Sequence, residues 1–392
     1  MQVSGSYRAT ETGGSHSKGE KLMGPLSGVN VLDLTRFPPG GYCTALLADL
    51  GAEVCRMDVP GANLRLNGVG VGLSRAKRSL ALNFRHERAM EVLRRVTDWA
   101  DVLVENNPPG DLERRGFGYR QASEEYPRLV WCAITGFGQD GPYAAWPGHD
   151  LTYTAQAGLL TAINPELPWQ PEVSLSLPVS GLLAAMGIVS ALFDRQRSSR
   201  GCFIDISLAE SAAWLLSGND AALTTLGGGL PATPERRVYE CEDGRFVSVA
   251  APEPRAWAAL CNGVGLEDLA ADAPPLREPA DIEARLSAAF ASRPASEWVE
   301  MLGPRRAAIG PVNQGADVVH DAHVKARGGV VEVEGVPLPA NPIRLRDVSG
   351  TLATTTNTTP PSAVGADTES MLAAVGYSPD EIDQLRVAGV VE

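Results

Sequence analysis

The sequence predicts an α/β protein: a doubly wound, Rossmann-like large domain followed by a smaller α+β domain. Three observations carry this. Short apolar runs alternate with helical patterns from about residue 29 to 208, the pattern of parallel strands joined by crossover helices. A Gly/Thr/Pro-rich stretch, TTLGGGLPATPE at 224–235, then separates that half from a hairpin and a run of helices. The 392 residues leave room for two or three domains at roughly 150 residues each.

The elements follow in order. Residues 1–23 carry Ser, Gly, Thr and charges without the apolar centre of a signal peptide, and are expected to be a disordered tail. The large domain is expected over 24–222. It opens with the buried strand VNVLDLT, punctuated by PPGG, then the helix YCTALLADLG and the strand AEVCRMDV, a βαβ unit. The strand SLALNF, the helix HERAMEVLRRVTDWA, the strand DVLVEN and the strand LVWCAITGFG repeat the alternation. A helix is expected after His149 through LTYTAQAGLLTA. SGLLAAMGIVSALFDRQ, apolar almost all round, reads as a second helix buried between layers. CFIDISL and AESAAWLLSG add a strand and a helix. After the 223–235 linker, RVYECEDGRFVSVA has the Glu-Asp-Gly turn of a hairpin, and helical patterns run from about Arg255 to Arg305, placing the small domain at 236–325. Residues 326–392 form a return segment onto the large domain, ending in SPDEIDQLRVAG with Ser378 as N-cap and Glu381 at N3.

Composition excludes several functions. The net charge of -13 argues against a general nucleic-acid binder, which needs a basic face. The six Cys are dispersed, with neither CxxC nor metal-ligand spacing, and suit reduced thiols in a cytoplasmic protein rather than disulfides or zinc. The longest apolar run, around Leu182 to Phe193, falls short of the roughly 18 residues that span a bilayer, so no membrane association is expected.

The chemistry rests on scattered residues. His149, in WPGHDLTYT, follows a Pro-Gly turn and precedes a helix. The positive helix end favours a neutral imidazole able to act as a base, and the same end suits an oxyanion. The other reading makes Asp150 an N-cap and His149 a bystander. Glu253 sits between Pro252 and Pro254, a stiff turn on which a carboxylate can orient an imidazole, or simply an acidic helix start. Arg56, Arg75, Lys77 and Arg78 lie near expected strand ends, where doubly wound sheets bind ligands. Such a cluster holds phosphate, or is a solvated charge run.

The segments GPLSGVNVLDLT, PPGGYCTALLADLGAEVCRMD, AKRSLALNF, LERRGFGY and ITGFGQDGPYAAWPGHDLTY resemble, in order, the family III CoA-transferase group, which includes formyl-CoA and carnitine CoA-transferases and the α-methylacyl-CoA racemases. The match covers nearly the whole chain after Gly24. Gly148-His149-Asp150 resembles the racemase branch, whose partner glutamate falls on Glu253. The resemblance implies an acyl-CoA racemase or isomerase in which His149 removes the α-proton and Glu253 orients it; because the group's second aspartate is missing here, water or Asp150 is the expected donor on the other face. It implies that Arg56, Arg75, Lys77 and Arg78 contact coenzyme A, which enters as part of the substrate and not as a permanently bound cofactor. It further implies an interlaced homodimer, or a heteromer with a paralogue. The alternatives are a family III CoA-transferase moving CoA between carboxylic acids, and a catalytically altered acyl-CoA-binding subunit. Two departures bear on these. Where the group carries a catalytic aspartate this chain has Ser176 or Leu177, followed by Pro178, Val179 and Ser180 in place of a Gly-rich run; and Asn106-Asn107-Pro108-Pro109 stands where the group has an Arg. Serine does not carry protons near neutral pH as a carboxylate does.

Overall fold

The computed structural model describes residues 24–62, 70–164, 171–218, 232–272, 274, 276, 279–346, 348 and 356–392. The expected tail at 1–23 and most of the expected linker at 223–235 lie outside them.

Six strands form one parallel sheet: β1 (Asn30–Asp33), β2 (Glu53–Asp58), β3 (Lys77–Ala81), β4 (Val102–Glu105), β5 (Val130–Thr135) and β6 (Phe203–Ser207). The spatial order is β3-β2-β1-β4-β5-β6, with β1 paired to both β2 and β4. The central strands β1, β4 and β5 read as largely apolar runs because both faces are covered. Leu32, Cys55, Leu103 and Trp131 enter one core, while Val31, Val54, Val102 and Val130 enter the other. The C-terminal segment closes the β3 edge. Asp367 Oδ2 accepts from Ser79 N at 2.9 Å, Thr368 Oγ1 accepts from Ala81 N at 3.1 Å, and Leu82 bridges Val391. Paired edges of this kind leave no template for another chain. The last helix, Pro379–Val387, carries the expected capping box of Ser378 and Glu381.

Three sequence expectations need correction. The stretch after His149 is not one helix: it divides into Asp150–Gln156 and Leu159–Ile163, because Gly158 takes a left-handed φ of 77°. β3 begins at Lys77, two residues earlier than SLALNF suggested, which draws Lys77 into the interior. The long helix, Ser176–Ser198, is not buried all round. Its Ala184, Ile188 and Leu192 side is packed in the core, but Met186 is 67% and Phe193 73% exposed, since no described part of the same unit covers that face. By length and composition alone it is also long and apolar enough to cross a bilayer, one such helix among the described residues.

The chain divides into two compact units: Met1–Leu159, Gln170–Leu215 and Val331–Glu392 form one, and Leu160–Trp169 with Leu216–Val330 form the other. The second unit carries the antiparallel sheet of β7 (Arg236–Glu240), β8 (Phe246–Ala250) and β9 (Ile309–Pro311). β7 and β8 are the expected hairpin. Trp257, Phe290 and Trp298 fill its core, and the two indoles donate to the carbonyls of Leu269 and Phe290 at 2.9 Å each.

Candidate active site

In the strand order of the parallel sheet, the chain reverses direction between β1 and β4, and ligands bind beyond the carboxyl ends of such a switch point. A cleft of about 450 Å³ lies there. Its wall is built from Phe37–Pro39 after β1, Asn106–Pro109 after β4, Ile134–Gly136 at the end of β5, the 144–150 loop, and Leu177 and Leu208.

His149 lines this cleft and is exposed. It is itself the N-cap of the Asp150–Gln156 helix, in extended conformation (φ -132°), and its carbonyl accepts from Thr152 N at 2.8 Å. Its imidazole makes no capping bond. The turn before it is fixed from below by Tyr153. The Tyr153 hydroxyl donates to the Gly148 carbonyl at 2.6 Å, and the ring is wedged between two glycines. A Cβ on Gly136 or on Gly148 would fall 2.6 Å from Tyr153 Cε1. Glycine is thus required at 148 by close approach, and the Pro-Gly-His order places the imidazole.

Asp150 lines the cleft too, but its carboxylate is engaged. It accepts from Ser176 N at 2.8 Å, Ser176 Oγ at 2.7 Å and Leu175 N at 3.2 Å. Asp150 therefore anchors the start of the long helix through Oδ1, while Oδ2 meets only Leu175 N, at 3.4 Å. Ser176 is fully buried behind it, while Leu177 reaches the cleft wall.

Glu253 belongs to the second unit. It is the exposed N-cap residue of the Pro254–Val264 helix, makes no side-chain capping bond, and its carbonyl accepts from Trp257 N at 2.9 Å.

The four basic residues are neither an open phosphate cluster nor a solvated run. Arg56 is buried, its Nε 2.8 Å from both Asp58 oxygens. Arg75 pairs with buried Asp49 at 2.5 Å. Lys77 reaches Asp33 at 3.2 Å and donates to Thr44 Oγ1 at 2.5 Å; burial pushes its ammonium below the usual lysine range, against the pull of Asp33. Arg78, about a third exposed, bonds Glu53 at 3.0 Å and Ser370 at 2.8 Å. A buried cation without a counter-charge costs several kcal/mol, so each carboxylate is required by the fold. None of the four lines the His149 cleft. Two of their nitrogens, Arg56 Nη1 and Arg75 Nε, are buried without a hydrogen-bond partner.

Two features were missed from sequence. Arg36, just past β1, lies 5.7 Å over the Phe84 ring, with Arg85 and Arg115 close enough to repel it; a lone Arg after a strand gives no signal of this. Glu105, the last residue of β4, is buried, and desolvation pushes its carboxyl up to about 7, opposed by bonds from Asn107 and Trp131. The Asn107 N–H donates to it at 2.6 Å, tying down the Asn106–Pro109 wall. Among the described residues no group of His, Cys, Asp or Glu is arranged to hold a metal ion.

The fold is that of a doubly wound α/β enzyme with a switch-point cleft, and residues 26–368 match the sequence profile of CoA-transferase family III: the chain belongs to that family. Among curated relatives, it is 32% identical over 382 residues to the alpha-methylacyl-CoA racemase of Homo sapiens, covering 94% of this chain and 97% of that one. It is 30% identical over 354 residues to the acetyl-CoA:oxalate CoA-transferase of Acetobacter aceti, covering 83% and 90%. The crystal structure of a CAIB/BAIF family protein from Brucella suis superposes with a TM-score of 0.78 at 26% identity, covering 90% of this chain and 99% of that one.

Proposed function

We propose that this protein removes the α-proton of an acyl-CoA thioester, with His149 as the base. The observation that carries the reading is the imidazole itself, uncapped and open to the switch-point cleft on a turn fixed by Tyr153. The thioester carbonyl acidifies the adjacent C–H. Its proton passes to the imidazole, the C–H electron pair moves into the carbonyl to give the enolate, and the carbon takes a proton back from the imidazolium or from solvent. With buried Ser176 in place of a carboxylate and Asp150 Oδ1 held by three donors, only Asp150 Oδ2 or solvent is left to return a proton to the second face of the carbon. The expected reaction is therefore one-base exchange with slow epimerisation.

Glu253 is assigned to orient the imidazole, as the resemblance implies. Arg36 and Arg85, in the loops after β1 and β3, and Arg115, the C-cap of the Asp111–Arg114 helix and paired with Asp111 at 3.0 Å, are assigned to supply a cationic surface for the phosphates of coenzyme A. Arg56, Arg75, Lys77 and Arg78 support that surface from within the fold. A homodimer, or a heteromer with a paralogue, remains part of the proposal, supported by the exposed Leu182, Met186 and Phe193 face.

CoA transfer through an acyl-enzyme anhydride needs a carboxylate nucleophile, which Ser176 does not supply. That same serine favours a second reading, an acyl-CoA-binding subunit without its own chemistry. Incubating 2-methylacyl-CoA with the protein in heavy water separates them. The proposal expects α-deuterium incorporation that falls at least about 100-fold in His149→Ala, the scale of a lost general base, and less in Glu253→Gln. No incorporation, or incorporation indifferent to His149→Ala, overturns it.

A further inference from the structure

The cleft wall has an aromatic element that α-proton removal does not use. Trp146 is 57% exposed and lines the cleft. Its indole stacks on Tyr143, ring centroids 4.1 Å apart and 28° between planes. Tyr143 meets Phe137 edge-on at 5.7 Å, and Phe137 meets Tyr153 edge-on at 5.2 Å. The rim indole is thus braced by a ladder of rings reaching the buried Tyr153 that sets the His149 turn. Phe37, 52% exposed, supplies a further ring to the same wall. Among the described lining residues there is no Lys or Arg, and Asp150 contributes negative charge.

We infer that Trp146 is a specificity-determining residue, selecting acyl groups that carry a flat, uncharged ring over acyl groups that carry a carboxylate. The inference rests on the reading of this cleft as the acyl site. A second carboxylate in the acyl group finds no counter-charge there and faces Asp150, and desolvating it is uncompensated. A flat ring gains an offset stack on an indole already held in place, so little ordering is lost on binding. A saturated ring of the same size fills the same space without the stack.

The test is calorimetric binding of phenylacetyl-CoA, cyclohexylacetyl-CoA and succinyl-CoA to the full-length protein and to its Trp146→Ala and Trp146→Phe variants. The wild type is expected to prefer phenylacetyl-CoA over cyclohexylacetyl-CoA by about threefold to tenfold, the range of an aromatic pair, and to bind succinyl-CoA most weakly. Trp146→Ala should abolish the phenyl preference and Trp146→Phe should keep most of it. Equal wild-type affinities for the two ring compounds, succinyl-CoA binding as tight as phenylacetyl-CoA, or a phenyl preference that survives Trp146→Ala would each overturn the inference. Deuterium exchange into phenylacetyl-CoA, measured alongside, keeps the two claims apart. Exchange without ring preference sinks the specificity claim alone, and ring preference without His149-dependent exchange sinks the α-proton reading alone.

Discussion

Gly148→Ala probes the support beneath His149 directly. The added methyl carbon falls 2.6 Å from Tyr153 Cε1, 3.0 Å from Cζ and 3.1 Å from the hydroxyl. The ring also lies against Gly136, where a Cβ would fall 2.6 Å from the same Cε1. Gly148 is not among the positive-φ glycines, so alanine meets no backbone penalty there and the effect is purely steric. Overpacking of this kind costs about 1–3 kcal/mol, and losing the hydroxyl bond to the Gly148 carbonyl adds about 1 kcal/mol. Relief comes most directly from moving the 147–149 turn, which carries the imidazole. A displacement of about 1 Å at a catalytic group costs about 100-fold in rate. The assay pairs thermal unfolding with α-deuterium exchange. Gly148→Ala is expected to lower both, and adding Tyr153→Leu is expected to restore part of each, with a coupling of at least about 1 kcal/mol between the two positions. A Gly148→Ala protein that melts and exchanges like the wild type would refute the placement of His149 by this wedge.

Three further outcomes follow from the buried polar groups. Ionising Glu105 is harder in the folded chain than in the unfolded one, so stability is greatest below pH 4.5 as far as this group is concerned and falls as pH rises toward about 7. That shift is worth about 3 kcal/mol; Glu105→Gln should remove the slope and be the more stable protein at pH 8, and urea midpoints equal to wild type across this window would contradict it. Arg56→Met leaves Asp58 buried without its cation and should cost about 3–5 kcal/mol of stability in denaturant titrations; an unchanged midpoint with weakened CoA binding would instead make Arg56 a ligand contact. Ser176→Ala removes one of three donors to Asp150 and should cost about 1 kcal/mol while leaving exchange intact. Loss of exchange in a folded Ser176→Ala protein would give the hydroxyl a chemical role.

Much of the large unit was legible because most of its strands are short, largely apolar runs with a Gly or Pro close to one end, and the hairpin of the second unit announces itself by its Glu-Asp-Gly turn. The cleft was legible only through His149 and its neighbours in sequence. Ion pairing was not: Arg56, Arg75 and Lys77 read as a ligand cluster because their carboxylates, Asp58, Asp49 and Asp33, look like ordinary residues at strand and helix ends. Three-dimensional pairing decides whether such a charge faces a ligand or the core. The anchoring of Asp150 was hidden for the same reason, since its partner Ser176 lies 26 positions away. Periodicity also overstated the burial of the Ser176–Ser198 helix, because composition does not report whether a neighbour exists for each face.

The most direct test of a single-base cleft uses one epimer of a 2-methylacyl-CoA in heavy water, following deuterium uptake and stereochemistry together. The account predicts uptake that outruns inversion severalfold or more, with both lost in His149→Ala. Uptake locked one-for-one to inversion would contradict it, because that requires a second acid facing the imidazole across the α-carbon.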